Sequence, residues 1–185
     1  MNTRTIPRIR PVNPANADAR QRELLENVKK SVGAVPNLIG ALAHSTAAAQ
    51  AYLAFSKALA GGLLDPALRE RLALAVGESN HCRYCVSAHS ALGRKAGLDD
   101  AEIESARRGI SKDAKVTAAL RFARRVLETR GQIDAADLDT VRAAGYSEGE
   151  VAELVAHVAL NFFTNSFNHI AGTEIDFPLA PELAN

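Results

Sequence analysis

The chain has 185 residues, 47% of them hydrophobic, and sets 22 Lys plus Arg against 21 Asp plus Glu for a net charge of +1. That length buries one good-sized core or two small ones, and so even a charge balance offers no basic field to a phosphate backbone, which excludes nucleic acid as an expected partner. Aromatics are only 5% and Trp is absent, so Ala and Leu must fill the interior, a composition that suits packed helices better than sheets.

In chain order, residues 1–16, with Pro7, Pro11 and Pro14, predict an extended arm. Residues 1–19 hold no apolar run of the kind a secretory signal needs, and no later stretch has the length of a membrane span. The expected location is therefore the cytoplasm, with no membrane partner. Residues 18–31 predict a polar amphipathic helix closed by Gly33 and Pro36, followed by a short helical turn over 38–44 and an Ala-rich helix over 45–59. The run Gly61-Gly62-Leu63-Leu64-Asp65-Pro66 breaks the pattern and opens the next helix: Asp65 suits its N-cap and Pro66 its first position. That helix runs to about Ser79. Another begins near Cys82 and continues to Lys95, with Gly97 as its C-cap. Residues 99–108, 112–129, 135–144 and 147 to about 163 predict the remaining helices, and 173–185, with Pro178 and Pro181, an extended tail. No strand pattern occurs. The expected fold is an all-α helical bundle, organised as one domain over residues 1–185.

The only two cysteines lie in the run His81-Cys82-Arg83-Tyr84-Cys85-Val86-Ser87-Ala88-His89. In a reducing compartment such a close pair reads as redox or metal chemistry rather than as a structural staple. On a helix starting near Cys82, at about 100 degrees per residue, Cys82, Cys85 and His89 share an apolar face with Val86, Leu92, Gly93 and Ala96. Cys85 and His89 are then an i, i+4 pair. The positive helix end at Cys82 and an imidazole beside Cys85 both favour the thiolate, the nucleophilic form, while burial opposes it. Glu70, flanked on the preceding helix by Ala73, Leu74 and Gly77, is the carboxylate expected to orient His89, because an apolar setting leaves it in need of a partner. Glu78, beside Arg71, reads as solvated.

Two blander readings compete. The cysteines could be small buried hydrophobes, or Cys82, Cys85 and His89 could hold zinc with His81 or His157 as fourth ligand. The chain has enough apolar residues to fold without a metal, so neither metal nor cofactor is expected. His157, on an apolar stretch, reads as a satisfied core histidine. His169 reads as a cap for the tail or a contact to a neighbouring subunit, and His44 as a surface or cap residue. Tyr84 points away from the reactive trio and packs elsewhere, and Arg107-Arg108 and Arg124-Arg125 read as solvated faces. A shift of 80 positions places Glu70, Cys82, Cys85 and His89 on Glu150, Phe162, Asn165 and His169. Either a decayed duplication of a helical hairpin or chance would produce this echo. On the first reading Phe162 and Phe163 wall the pocket of the first half.

Glu70, then Cys82-x-x-Cys85, then His89 resembles the signature of the alkyl hydroperoxidase D and carboxymuconolactone decarboxylase superfamily. Val35-Pro36-Asn37-Leu38 before the Ala-rich helix, and Asn168-His169-Ile170-Ala171-Gly172-Thr173-Glu174-Ile175-Asp176-Phe177-Pro178, are similar to its peroxidase-related branch. The likeness thus runs from about Pro36 to Pro178. It implies an all-helical fold, a homo-oligomer (trimer, hexamer or dimer) and a cysteine-based peroxidase cycle without haem or metal. By position it implies that Cys85 attacks a small hydroperoxide, that Cys82 closes a disulfide with it, and that His89 with Glu70 relays the proton. A protein thiol donor would supply the electrons. Tyr84 stands where the family's peroxidase motif carries a second histidine, so the relay is expected to differ. True carboxymuconolactone decarboxylases generally lack the cysteine pair, which argues against lactone decarboxylation. The alternative class is a redox-sensitive adaptor or binding oligomer without turnover.

Overall fold

The structure is a computed structural model and describes residues 6–183. Among the described residues all regular structure is helical, as the composition predicts. A 3-10 turn at Pro14–Asn16 precedes α1 (Ala19–Val32), α2 (Asn37–Leu42), α3 (Thr46–Ala60), α4 (Pro66–Ser79), α5 (Arg83–Lys95), α6 (Asp100–Arg107), α7 (Ala114–Thr129), α8 (Ala135–Ala143) and α9 (Glu148–Ala171). Short polar side chains fix the starts. Asp18, Ser45, Asp65, Asp99, Asp113, Asp134 and Ser147 each accept a backbone N–H of the first turn, which satisfies groups that a helix end leaves unpaired. Among the described residues no helix is long and apolar enough to cross a membrane.

Helix α4 lies at the centre, packed against α5, α6, α7 and α9; Leu72, Leu74, Ala75 and Val76 on it are fully buried. One apolar cluster joins α4 to α6, α7, α8 and α9. A second joins α1, α2 and α3 to the start of α5, and it contains Cys82, Tyr84, Cys85 and Ala88. Helix α5 is therefore the seam between the two, with Val86 in the first and the cysteines in the second.

The arm and tail are tied to this body. The N–H groups of Arg8 and Ile9 donate to the Ala171 carbonyl at the end of α9, and the Arg8 guanidinium bonds the carbonyls of His169 and Ile170, a cation where the helix dipole favours one. Val12 N–H donates to Gly40 O. A Cβ on Gly40 would lie 2.8 Å from Pro11 Cβ, so only glycine admits the arm here. In the tail, Asp176 accepts the Asn37 N–H, Ala180 N–H donates to Ser87 Oγ, and the Pro181 carbonyl accepts from Arg107.

Four expectations need correction. The last helix does not stop near Phe163 but continues to Ala171, because Asn161, Thr164, Asn165 and Asn168, poor helix formers in isolation, are buried there among partners. Arg107 is not a solvated charge: it is 6% exposed, bonded to Glu78 at 2.7 Å and to the tail. Glu78 is correspondingly an ion-pair partner rather than a free surface carboxylate. The 80-residue echo has no counterpart in the architecture, since Phe162, Asn165 and His169 share one unbroken helix with Glu150, where the first set spans two helices and a turn.

Candidate active site

The site begins where α4 stops. Asn80, His81 and Cys82 donate their N–H groups back to Val76, Glu78 and Gly77 carbonyls, and His81 takes a left-handed backbone, φ 54°, so the chain reverses in a few residues. Cys82 then caps α5, its Sγ accepting the Cys85 N–H at 3.3 Å. The sulfur pair thus stands at the positive end of a helix, where a thiolate would be favoured. The two sulfurs are bonded to each other, with Cα atoms 5.3 Å apart, and the residues are 2% and 3% exposed. A Cβ at Gly77 would touch Cys85 Cβ at 3.5 Å, so α4 lies directly against the pair.

Glu70 on α4 reaches His89 on α5: Oε2 and Nδ1 are 2.8 Å apart, with both side chains about one-fifth exposed. This is the pairing the apolar setting of Glu70 demands. A neutral His89 donating from Nδ1 to the carboxylate carries its free lone pair on Nε2, which makes Nε2 the basic atom. His89 lies one turn beyond Cys85 on the same helix.

A third element completes the surroundings. From α9, Asn168 Nδ2 donates to Cys85 Sγ at 3.3 Å. Asn165 Oδ1 accepts from Asn80 Nδ2 at 2.8 Å, and His169 Nε2 donates to the Asn80 carbonyl at 2.7 Å. His169 thus anchors the turn before Cys82 instead of capping the tail. Asn168 and Asn165 were not singled out from sequence as site residues. The one available signal was the run beginning at Asn168, but with the helix ended at 163 nothing aimed that amide at a sulfur.

Tyr84 packs away from the pair, as its helical angle predicts. Its hydroxyl accepts the Leu38 N–H at 3.3 Å and its ring meets Phe177 edge-on. Burial, with Asp176 nearby, pushes the phenol well above its ordinary range, so it keeps its proton at neutral pH. His157 is a core residue, 5% exposed, but not the satisfied one expected: its Nε2 has no hydrogen-bond partner among the described residues. Burial lowers its pKa, and the Arg69 charge acts the same way. His44 is exposed and bonds the Arg10 carbonyl. Phe162 and Phe163 wall no pocket of the pair; they are 52% and 41% exposed. With the sulfurs bonded to each other and His89 on Glu70, the zinc grouping is not assembled. No group of three or more His, Cys, Asp and Glu suited to a metal occurs among the described residues.

Comparison with known proteins adds a sequence match over residues 46–129, the stretch that holds Glu70, Cys82, Cys85 and His89. Over that stretch the chain is similar to the carboxymuconolactone decarboxylase family. No curated protein sequence matches the chain. Among solved structures, the alkylhydroperoxidase AhpD core protein, an uncharacterised peroxidase-related protein from Ralstonia eutropha JMP134, superimposes with a TM-score of 0.80 at 24% identity, over 91% of this chain and 93% of that one. A peroxidase-related protein from Silicibacter sp. TM1040 gives 0.77 at 23% identity, over 90% and 91%. A variant of the debrominase Bmp8 in complex with 2,3,4-tribromopyrrole gives 0.76 at 19% identity, over 94% of both chains. At these identities the likeness establishes the fold: an alkyl hydroperoxidase D-like helical bundle, as the motif resemblance implies. The segment matched to the carboxymuconolactone decarboxylase family excludes Asn168 and His169, so the amide on Cys85 comes from outside it.

Proposed function

We propose that the protein is a thiol-dependent peroxidase that reduces small alkyl hydroperoxides through a Cys82–Cys85 disulfide cycle, working as a homo-oligomer. The reading is carried by one arrangement: a bonded sulfur pair at a helix N-terminus, with a Glu70-bound imidazole one turn beyond Cys85. The family match and the peroxidase-related structural neighbours support it.

In the reduced protein the Cys85 thiolate attacks one peroxide oxygen. An S–O bond forms, the O–O bond breaks, and the alkoxide leaves as alcohol with a proton passed from His89, which Glu70 holds in the required tautomer. Cys82, as thiolate, then attacks the sulfenic sulfur; the S–S bond forms and hydroxide leaves as water. Two donor thiols reduce the disulfide and are themselves oxidised to one, which closes the cycle. Asn168 and the first turn of α5 stabilise negative charge on Cys85 Sγ at each stage where it develops. Tyr84, holding its proton, takes no part in the transfer.

The test is peroxide consumption with excess dithiothreitol, wild type beside Cys85→Ser. Multiple turnover that Cys85→Ser abolishes, with the helical circular dichroism spectrum unchanged, is the expected result. Stoichiometric consumption by the wild type would make the protein a redox-sensitive adaptor instead, and turnover surviving the substitution would remove Cys85 as nucleophile. Turnover of a bromopyrrole in place of any peroxide would move the substrate class toward that of the debrominase neighbour.

A further inference from the structure

Two clefts meet at Cys82. One, of about 260 Å³, has Arg8, His81, Cys82, Arg83, Asn168 and His169 in its wall and extends toward the end of α9. The other, of about 530 Å³, shares His81, Cys82 and Arg83 and extends to Arg107 and Arg108 at the end of α6 and to the tail. Cys85 is in the wall of neither. The first wall contains no carboxylate. In the second, Glu78 is already taken by Arg107, which leaves Glu182 of the tail as the other acid. Arg83, common to both clefts, is exposed, and its guanidinium makes no hydrogen bond or ion pair among the described residues.

We propose that these clefts receive an extended acidic dithiol segment of the electron-donor protein, its attacking thiol on Cys82 Sγ and a carboxylate on Arg83. This rests on the peroxidase reading and names the donor chemistry that reading leaves open. Three observations converge on it. Cys82, and not Cys85, is a wall residue of both clefts, and which sulfur is attacked governs exchange. Cys85 is the better leaving group, since its sulfur takes the Asn168 amide N–H at 3.3 Å and sits in the first turn of α5, and a more acidic thiol leaves faster. Two clefts that share His81, Cys82 and Arg83 in their walls suit a segment that continues on both sides of its thiol, whereas a small thiol would occupy only one.

The exchange balances. The donor thiolate attacks Cys82 Sγ, a mixed disulfide forms, the Cys82–Cys85 bond breaks, and its electron pair leaves on Cys85 Sγ. The donor's second thiolate then attacks its own sulfur in the mixed disulfide and releases Cys82 as thiolate. The donor ends as a disulfide and the protein as a dithiol.

The experiment mixes the oxidised full-length protein with synthetic two-cysteine peptides that differ only in flanking residues, glutamate, glutamine or lysine. Timed alkylation and mass measurement read out reduction of the Cys82–Cys85 bond. At low ionic strength the glutamate peptide is expected to react about tenfold faster than the glutamine peptide, the lower end of electrostatic steering, and the lysine peptide more slowly. The spread should collapse in high salt. Arg83→Glu should invert the order and Arg83→Lys retain it. Rates that follow peptide thiol pKa alone, indifferent to Arg83→Glu, would overturn the proposal. An equal advantage for mercaptosuccinate over mercaptoethanol would also overturn it, in favour of a small anionic thiol. No peroxide enters the measurement, so the two readings fail separately. Loss of peroxide turnover with dithiothreitol sinks the peroxidase and leaves the peptide ranking standing, and a flat ranking leaves the peroxidase intact.

Discussion

Asn168 holds an amide N–H on Cys85 Sγ, and a donor to a sulfur favours its anion. Asn168→Leu keeps a similar volume and removes the donor. In the reduced variant the Cys85 thiol is expected to titrate higher than in wild type, so its alkylation by iodoacetamide at neutral pH should slow; an unchanged rate would mean that the amide only packs. His157 makes a different prediction. Burial, then the Arg69 charge, holds its pKa below the ordinary value of about 6.5. Just below that value the unfolded chain binds the proton and the folded one does not. The stability tied to the neutral imidazole is therefore complete above about 6.5 and declines as pH falls toward the lowered folded value. Thermal unfolding followed downward from about pH 6.5 should show a steeper loss for wild type than for His157→Gln, and identical slopes would discount the residue.

Among the elements, α4 and α5 were legible because their signals are local. Asp65-Pro66 opens the first, the second starts near Cys82, and the spacing of Cys85 and His89 needs only helical geometry to put both on one face of it. Even so, Cys82 proves to cap α5 rather than begin it. The last third of α9 was not legible. Its buried Asn165 and Asn168 are stabilised by Asn80 and Cys85, more than eighty positions away in sequence, and no window along the chain contains that information. Arg107 was misread for the same reason, since its partners Glu78 and Pro181 come from α4 and the tail. Arg107→Ala would strand the Glu78 carboxylate and free the tail. Because Glu78 is itself 30% exposed, the expected loss is about 2 kcal/mol, below the range for a fully buried pair, to be checked by urea denaturation. A loss under about 0.5 kcal/mol, the size of a surface change, would show that the pair and the tail contribute little.

For the whole molecule, the all-helical architecture followed from composition and period, whereas the grouping of exposed apolar side chains on α3 and α9 did not. Val155 and Phe162 lie on one side of α9, and Phe163 contacts Tyr52 of α3 at 6.4 Å between ring centroids, one turn from Phe55. Val155, Phe55, Phe162 and Phe163 are all more than a third exposed. A grouped apolar surface of this kind is expected to be covered by a second copy of the chain. Light scattering of wild type at micromolar concentration is expected to give a homo-oligomer, and the double substitution Phe162→Glu with Phe163→Glu a smaller species. A wild-type monomer would count against the assembly.

The longest helix also touches the fold at a place remote from the sulfurs. Near its beginning, Glu153 accepts the N–H groups of Leu63 and Leu64 at the turn that launches α4, and its carboxylate lies 2.5 Å from where a Cβ on Gly62 would sit. Some 22 Å along the same rod, at about 1.5 Å per residue, Asn168 meets Cys85. One rigid piece therefore sets the height of the carboxylate-bearing helix and the environment of the thiol at once, like two marks on a single ruler. A change that slides α9 along its axis shifts the start of α4, which bears Glu70, together with the amide that meets Cys85.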